Sequence, residues 1–242
     1  MKHDACLFKI GGSILEDHEN LNSTIFQLSH LFEKEKVQKI IIIPGGGSFA
    51  NFIRKVYNEL KFTDELAHWM GIISMNYNGL ELNKKFPNLE LIEDIDELKK
   101  KDKIFGLFLP FQFLQENDRL PHTWEVTSDS ITLFVAENLG LNRCFLIKDI
   151  DGIMDKENQV IKEISIEILK KMKESHRLAE FDPKFDNLKE ITRPVDPYLM
   201  SLIEEFKIRC IILNGCANRQ RILEFFDKSI SQQEKIYSII KY

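Results

Sequence analysis

The 242-residue sequence has no apolar run long enough to cross a membrane. Its longest run covers residues 40–44, whereas a membrane-spanning helix needs about 20 apolar residues. The first residues show no succession of basic, apolar and small residues, so we expect neither a signal peptide nor a membrane partner. With 43% hydrophobic and 29% charged residues, the composition is that of an ordinary soluble protein and excludes disorder, collagen and coiled coil.

Cysteine and surplus positive charge are also scarce. The four cysteines include no Cys-x-x-Cys pair, which favours reduced, buried thiols in the cytoplasm over a zinc site or disulfides. The 33 Lys and Arg residues are outnumbered by 38 Asp and Glu residues, for a net charge of −5. Nucleic-acid scaffolds rely on a surplus of Lys and Arg against phosphates, so we expect no nucleic-acid partner. A local basic pocket for a small anion is compatible with this charge.

Short apolar runs without polar alternation occur in turn with amphipathic segments along the chain. Residues 25–32 and 49–60 carry apolar side chains at helical spacing. The apolar runs predict buried strands at 5–10, 39–44, 89–92, 104–110, 144–147 and 208–214. This succession predicts an α/β fold with a mainly parallel sheet and helices on both faces.

Three further segments bear on the organisation of the chain. A fresh strand begins near residue 143 without a flexible linker, which suggests two lobes, 1–143 and 144–242, on one continuous sheet. Residues 64–83 form a predicted helix that is apolar almost all round, so we expect it to be buried and to be a candidate contact with a second subunit. Residues 172–197 carry several prolines and many charges, which predicts a mobile loop.

Two glycine-bearing turns each follow a predicted strand and open a helical pattern. They are residues 9–13 (KIGGS) and 44–49 (PGGGSF). Glycines let backbone N–H groups approach a ligand, and a helix N-terminus adds partial positive charge, so the turns predict a phosphate cradle. Neither turn is a Walker motif, because no Gly-Lys-Ser/Thr follows at the required spacing. The pattern Gly45-x-Gly47-x-x-Ala50 weakly matches the dinucleotide fingerprint, so an NAD-dependent oxidoreductase stays open as an alternative.

Acids end a third predicted strand within residues 146–153 (LIKDIDGI). Open α/β sheets bind ligands at the carboxyl ends of their strands, which makes Asp149 a candidate. Asp151 and Gly152 also fit an ordinary turn after a strand.

Residues 122–130 (HTWEVTSDS) precede another helical pattern. Ser128 or Asp129 is an ordinary helix N-cap candidate. Capping alone does not require His122, Trp124 and Thr127 as well. We therefore expect this cap also to present N–H groups and hydroxyls to a bound anion.

These motifs resemble the amino acid kinase family, which includes the carbamate, acetylglutamate, aspartate, uridylate and isopentenyl phosphate kinases. The two glycine turns, residues 127–130 (TSDS), 148–152 (KDIDG) and 213–215 (LNG) occur in the family's order and spacing over nearly the whole chain. The resemblance implies a three-layer αβα sandwich that transfers the γ-phosphoryl group of ATP to an oxyanion acceptor. The N-terminal lobe would bind the acceptor and the C-terminal lobe the nucleotide. Mg²⁺ would bridge the ATP phosphates with few direct protein ligands.

The resemblance also implies roles for individual residues. Lys9 would neutralise charge on the transferring group, and Asp149 would hold Lys9 in position. The residues implied to line the phosphoryl path are Gly11, Gly12, Ser13, Gly45, Gly46 and Gly47. Those implied for the acceptor are Ser48, Arg54, His122, Thr127, Ser128 and Asp129, and those for the nucleotide are Lys148, Asp151 and Gly152.

The sequence departs from the family at its second catalytic lysine. Most members carry that lysine after a Thr-Gly-Gly-Met-like segment, where this chain has residues 191–197 (ITRPVDP). Arg193 is our candidate for the missing positive charge, and the alternative is a surface arginine on a proline-rich loop. Lys189 and Lys148 are the next candidates. The missing lysine also leaves open a non-catalytic nucleotide-binding or storage protein on the same fold.

The acceptor is indicated by similarity within the family. Residues 66–70 (LAHWM), 120–129 (LPHTWEVTSD) and 193–197 (RPVDP) are most similar to the archaeal-type (aminomethyl)furanmethyl phosphate kinases of methanofuran synthesis, which turn a monophosphate into a diphosphate. Isopentenyl phosphate kinases place a histidine where this chain has residues 50–51 (AN). We therefore expect a small phosphorylated acceptor, with a carboxylate as the alternative. His68 stays open between a core residue and a site residue.

Overall fold

Eight strands form one sheet in the structure, a computed structural model that describes residues 3–179 and 194–242. The strands are β1 (His3–Ile10), β2 (Val37–Pro44), β3 (Glu90–Ile92), β4 (Ile104–Phe108), β5 (Arg143–Lys148), β6 (Glu163–Ser165), β7 (Arg209–Asn214) and β8 (Ser238–Lys241). All six predicted strands are present. The sequence analysis missed β6 and β8, which contain only one and two apolar residues and therefore show no clear apolar run.

The strands follow the order β3-β4-β2-β1-β5-β7-β8-β6 across the sheet. Neighbours from β3 to β7 pair in parallel. Strand β8 runs antiparallel to β7 and pairs in parallel with β6. The predicted mainly parallel sheet is confirmed, and it continues without a break across residue 143.

Ten helices connect these strands in the described part of the chain. They are α1 (Gly12–Glu16), α2 (His18–Glu33), α3 (Gly47–Leu60), α4 (Asp64–Lys85), α5 (Ile95–Lys100), α6 (Phe111–Glu116), α7 (Ser128–Asn138), α8 (Ile166–Glu174), α9 (Pro197–Phe206) and α10 (Arg221–Phe226). Several begin with an Asp, Ser or Thr side chain that accepts a backbone N–H, as helix starts require. None of these helices has the length and apolar character that a membrane crossing needs.

The central strands bury side chains on both faces of the sheet. Successive side chains of a strand point to opposite faces. Leu7 and Ile41 pack in one core with residues of α4, α7 and α9, whereas Phe8 and Ile42 pack in another with residues of α2 and α10. Two helical layers therefore enclose the sheet, and the predicted αβα sandwich is confirmed.

Helix α4 differs from the expectation of all-round burial. It buries Ile72 and Met75 against the sheet, but Ile73 is 50% exposed and Tyr77 is 45% exposed. A single helix packed on one side of a sheet can bury only one face, so the described part of the chain leaves the other apolar face exposed.

The predicted loop over residues 172–197 is only partly correct. Its first residues complete α8, and its last residue, Pro197, begins α9. Proline is tolerated there because the first N–H groups of a helix have no partner within the helix. Residues 180–193 lie outside the described part of the chain.

Candidate active site

The two glycine turns lie against each other at the carboxyl ends of β1 and β2. Gly11 N–H donates to Ile147 O at 2.8 Å, which joins the first turn to β5. A Cβ on Gly12 would stand 2.8 Å from Gly47 Cα, and Gly47 has a φ of +55°. Glycine is therefore required where the turns touch. Strand β1 lies between β2 and β5, at the kind of switch point where open α/β sheets bind ligands.

A cleft above these turns brings together most of the predicted site. Twelve predicted residues line it: Lys9, Gly11, Gly12, Ser13, Gly46, Gly47, Arg54, Thr127, Ser128, Asp129, Lys148 and Asp149. Glu16 and Asn51 also line the cleft, and the sequence analysis did not select either. The cleft combines backbone groups of two glycine turns with three cationic side chains, a suitable lining for phosphate groups.

Two lysines share one buried carboxylate in this cleft. Lys9 Nζ lies 2.8 Å from Asp129 Oδ1, and Lys148 Nζ lies 2.7 Å from Asp129 Oδ2. Burial acts to raise the pKa of Asp129, but the charges of Lys148 and Lys9 outweigh it and lower the pKa to about 2. Burial lowers the pKa of Lys9, and Asp129 opposes that effect. The ionised carboxylate therefore holds two ammonium groups together that would otherwise repel each other.

The carboxylate in this ion pair is not the one that the resemblance implied. Asp149 lines the cleft, but the ion pair with Lys9 is formed by Asp129, which we had placed among the acceptor residues. Helix α7 packs on both β1 and β5 and carries Asp129 in its first turn. This packing brings Asp129 between the lysines at the ends of the two strands.

A second buried carboxylate holds the start of α7. Asp196 accepts hydrogen bonds from Thr127 N at 3.1 Å, Thr127 Oγ1 at 2.7 Å and Ser130 N at 3.0 Å, and also from Ser130 Oγ. It caps α9 as well, by accepting from Leu199 N at 2.7 Å. Burial and the neighbouring Asp129 raise its pKa. The sequence analysis missed Asp196, although an Asp-Pro pair at a helix start is a recognisable signal.

Three residues predicted for the phosphate or acceptor side do not line the cleft. Gly45 packs behind it, where an added Cβ would come within 3.4 Å of Lys9 Cε. Ser48 donates its N–H to the carboxylate of Glu16. His122 hydrogen-bonds to Asp118 at 2.8 Å and stacks on the ring of His68. Direct ligand contacts for these residues stay predictions.

Two of the predicted nucleotide residues also lie outside the cleft lining. Asp151 accepts hydrogen bonds from Asn214 Nδ2 at 3.1 Å and from Arg221 Nε at 3.2 Å. Gly152 has a φ of +147°, and a Cβ there would stand 2.3 Å from Ser238 Oγ. In the structure, Asp151 therefore connects β7 and α10 through hydrogen bonds, and Gly152 allows close packing against Ser238. Contact of either residue with a nucleotide stays a prediction.

Arg193 and Lys189 belong to the segment outside the described residues. Lys148 is the described candidate for the second lysine, and it stands beside Lys9 on Asp129. Within residues 3–179 and 194–242, no three His, Cys, Asp or Glu side chains gather as a metal site.

The sequence model of the amino acid kinase family matches residues 4–214. The chain belongs to the amino acid kinase family. It is an ATP-dependent phosphotransferase, and this membership sets aside the oxidoreductase alternative. The paired glycine turns and the lysines on Asp129 are the parts of this family member that can act on phosphate groups.

Two relatives and two solved structures illustrate the similarity of this kinase to known proteins. The [5-(aminomethyl)furan-3-yl]methyl phosphate kinase of Methanocaldococcus jannaschii is 28% identical over 240 residues, covering 97% of this chain and 99% of the relative. The acetylglutamate kinase of Endomicrobium trichonymphae is 24% identical over 192 residues, covering 65% of this chain and 76% of the relative. UMP kinase from Ureaplasma parvum has a TM-score of 0.65 at 18% identity, covering 100% of this chain and 97% of that one. Uridylate kinase from Archaeoglobus fulgidus has a TM-score of 0.65 at 16% identity, covering 98% and 99%. These two structures share the fold.

Proposed function

We propose that this kinase transfers the γ-phosphoryl group of ATP to a small phosphate monoester. An oxygen of the acceptor's phosphate forms the new bond to the γ-phosphorus, the bond to the β-phosphate oxygen breaks, and ADP and a diphosphate result. The observation that carries the proposal is the pair of lysines on Asp129 beside the glycine turns. The similarity to the Methanocaldococcus jannaschii kinase makes [5-(aminomethyl)furan-3-yl]methyl phosphate the candidate acceptor.

The acceptor's phosphate would lie on the N-terminal side of the cleft. That side is lined by the backbone of the glycine turns and by Arg54, which is 8% exposed. Arginine forms paired hydrogen bonds to phosphate oxygens. Thr127 and Ser128 add hydroxyl groups at the same wall.

Lys9 and Lys148 would neutralise the charge that develops during transfer. Phosphoryl transfer needs positioning and charge stabilisation more than a covalent catalyst. Lys9 belongs to the proposed acceptor lobe, residues 1–143, and Lys148 to the proposed nucleotide lobe, residues 144–242. We therefore assign Lys148 to the leaving-group side and Asp129 to holding both lysines, while Asp149 and Arg193 stay proposed contributors.

The cleft is the proposed position of the nucleotide's phosphate chain. An added Cβ would stand 2.8 Å from Gly47 Cα at Gly12 and 2.5 Å from Ala50 Cβ at Gly46, so both positions require glycine for the close packing around the turns. Mg²⁺, when bound with ATP, would supply further charge neutralisation at the phosphates. Asp151 and Gly152 remain proposed for the nucleotide side.

The test is the turnover of two alanine variants. We expect Lys148→Ala and Lys9→Ala each to lower kcat by roughly 10²–10³, because each removes a charge that stabilises the transition state. ADP release with the candidate acceptor and Mg-ATP measures this. Lys84→Ala, at an exposed residue paired with Glu81, is the control and should keep wild-type turnover. Wild-type turnover in folded Lys148→Ala would reject its role and transfer the assignment to Arg193 or Lys189.

We also propose that two copies pair through an apolar surface formed by α3 and α4. Its exposed members are Phe49, Phe52, Leu66, Ile73, Tyr77 and Leu80. The rings of Phe49 and Tyr77 touch at 4.7 Å between centroids, so the two helices contribute to one patch. Exposed apolar patches of this kind mark interaction sites.

We propose a cytoplasmic location because the cysteines are free thiols. All four cysteines are free, and Cys6, Cys144 and Cys210 are buried. Cys144 and Cys210 lie on paired strands and share a thiol hydrogen bond, with 3.2 Å between their Sγ atoms, and they form no disulfide. Such thiols stay reduced in a reducing compartment.

A further inference from the structure

Arg54 is the third cationic side chain in the lining of the cleft, beside Lys9 and Lys148. It belongs to α3, whereas the two lysines belong to strands β1 and β5. An arginine side chain has many rotamers, and fixing it in one of them costs conformational entropy. Paired hydrogen bonds to a phosphate need the guanidinium in one orientation. The site therefore gains from a neighbour that holds Arg54 before the acceptor binds.

The indole ring of Trp124 is such a neighbour. The guanidinium carbon of Arg54 lies over this ring, 4.6 Å from its centroid. An aromatic face attracts a cation, and the attraction is stronger where water is excluded, as it is around this mostly buried arginine. The guanidinium N–H groups lie in the plane of the group, so a ring on its face does not compete with phosphate oxygens for them.

Trp124 is itself held by two elements. The ring of Tyr57, one turn after Arg54 on α3, packs edge-on against the indole with 5.8 Å between centroids. Three residues after Trp124, Thr127 donates its backbone N–H and its hydroxyl to the buried carboxylate of Asp196. The indole is therefore attached to the fixed start of α7 and packs against the helix that carries Arg54.

The short segment 124–129 thus contacts all three cations in the lining of the cleft. Trp124 packs on Arg54, and five residues later Asp129 forms ion pairs with Lys9 and Lys148. These cations come from three separate elements, so their spacing depends on a part that touches each of them. The segment places the guanidinium of the proposed acceptor side relative to the two lysines of the proposed transfer centre.

We infer that Trp124 is a positioning residue that holds Arg54 for the acceptor's phosphate. It acts through Arg54 and needs no contact of its own with the substrate. This inference rests on the proposed function, in which Arg54 binds that phosphate. It also gives a reason for a tryptophan three residues before the helix cap Thr127, which capping alone does not require.

Substitutions at Trp124 test this role by phosphate binding, without turnover. Trp124→Met keeps an apolar side chain but removes the aromatic face, and it should raise the Kd for inorganic phosphate about tenfold. Trp124→Phe should raise this Kd only about threefold, because a phenyl face attracts a cation less strongly than an indole face does. Isothermal titration calorimetry in the absence of nucleotide measures each Kd, and circular dichroism melting confirms that each variant is folded.

A double-mutant cycle separates positioning of Arg54 from lost packing or direct contact with the ligand. In an Arg54→Gln background, Trp124→Met should change the phosphate Kd less than twofold, because the ring then has no guanidinium to hold. Phe32→Met is the matched control. It removes an aromatic face that lies 5.5 Å from Lys103 Nζ, outside the lining of the cleft, and its phosphate Kd should equal that of the wild type.

Kinetics provide a second readout with the candidate acceptor and Mg-ATP. Trp124→Met should raise the acceptor KM about tenfold with little change in the KM for ATP, because Arg54 belongs to the acceptor side. A general loss of structure would instead affect both constants. An acceptor KM that stays at the wild-type level in folded Trp124→Met would count against the positioning role.

The outcomes distinguish this inference from the proposed function. An unchanged phosphate Kd in folded Trp124→Met, or a loss of equal size in the Arg54→Gln background, overturns the inference even if the kinase turns over the acceptor. A wild type that binds phosphate no more tightly than Arg54→Gln also overturns it. The expected series of phosphate affinities without ADP release supports the inference and overturns the proposed reaction. If Trp124→Met does not fold, a wild-type Kd in Trp124→Phe overturns the inference, and a threefold loss that disappears in the Arg54→Gln background supports it.

Discussion

At the scale of single residues, Asp129 determines how the two lysines of the cleft can work. Each carboxylate oxygen forms an ion pair with one ammonium group, at 2.8 Å and 2.7 Å. An amide at this position would keep the size but lose the charge and one acceptor oxygen. Lys9 and Lys148 would then repel each other in a buried site, and neither would be held.

We predict that Asp129→Asn lowers kcat by at least about 10², because both transition-state charges lose their position. The acceptor KM should change less, since Arg54 and the glycine turns are intact. Steady-state kinetics on the folded variant measure both constants. A kcat within a factor of about two of the wild type would contradict the positioning role.

The same residue gives stability a defined pH dependence. The pKa of Asp129 is lowered on folding, from 3.8 to about 2, so its contribution is complete above about pH 5 and is lost as pH falls towards about 2. We expect the wild type to exceed Asp129→Asn in unfolding free energy by on the order of 2 kcal/mol near pH 6, with the difference shrinking near pH 2.5. Urea denaturation at both pH values measures it. Asp102→Asn, at an exposed residue outside the cleft, is the control, and a difference that does not shrink would count against the ion pairs.

Sequence alone located the residues of the cleft better than it assigned their partners. The glycine turns could be predicted, because close backbone approach requires glycine, whatever lies nearby. The bond from Lys9 to Asp129 could not, because it depends on how α7 packs on β1 and β5. Only contacts between distant segments decide which of several nearby acids meets a given lysine.

At the scale of helices and strands, Asp196 connects α9 to α7. The buried carboxylate accepts from backbone N–H groups at the starts of both helices and from the hydroxyls of Thr127 and Ser130. Because Asp129 lies in the first turn of α7, this connection also fixes the carboxylate that holds the lysines. Asp196 is therefore a positioning residue for the site.

We predict that Asp196→Asn lowers the unfolding free energy by roughly 3 kcal/mol, because one oxygen is replaced by a donor that faces other donors. Urea denaturation with an unchanged m-value measures the loss. Asp17→Asn is the matched control: Asp17 also caps a helix, α2, but it is exposed, and asparagine caps equally well. Equal stability losses in the two variants would contradict the special role of Asp196.

The elements themselves were predictable in proportion to their length and burial. The strands that are covered on both faces appear in the sequence as continuous apolar runs, and all of them were found. Strands β6 and β8 at the end of the sheet contain too few apolar residues to show such a signal. The start of α9 has an Asp-Pro pair, which is typical of a helix start. The surrounding prolines and charges nevertheless led us to predict a loop there.

At the scale of the whole molecule, the exposed apolar surface on α3 and α4 is typical of a protein–protein interface. Seven of the ten large hydrophobic side chains that are exposed in the described residues belong to these two helices. The sequence showed that residues 64–83 were too apolar for a solvated helix, but it could not show which face the sheet would cover.

We predict that the wild type sediments as a dimer or a higher oligomer and that Ile73→Glu dissociates it, because a charge in the patch would be desolvated on association. Sedimentation velocity over a range of concentrations measures this. Ile168→Glu is the control, since Ile168 is equally exposed, at 51%, but lies on α8 outside the patch. A wild type that sediments as a monomer, or an Ile73→Glu variant that keeps the wild-type assembly, would contradict the proposed interface.

The central claim is that the cleft transfers a phosphoryl group from ATP to a phosphate monoester. Phosphorus-31 NMR of the product formed from [5-(aminomethyl)furan-3-yl]methyl phosphate and Mg-ATP tests it most directly. The account predicts that the acceptor's monoester signal is replaced by two coupled diphosphate signals in step with ADP formation. It also predicts that Lys9→Ala and Lys148→Ala lose this conversion while Lys84→Ala keeps it. ADP accompanied only by inorganic phosphate, or diphosphate formed at the wild-type rate by either lysine variant of the cleft, would contradict the account.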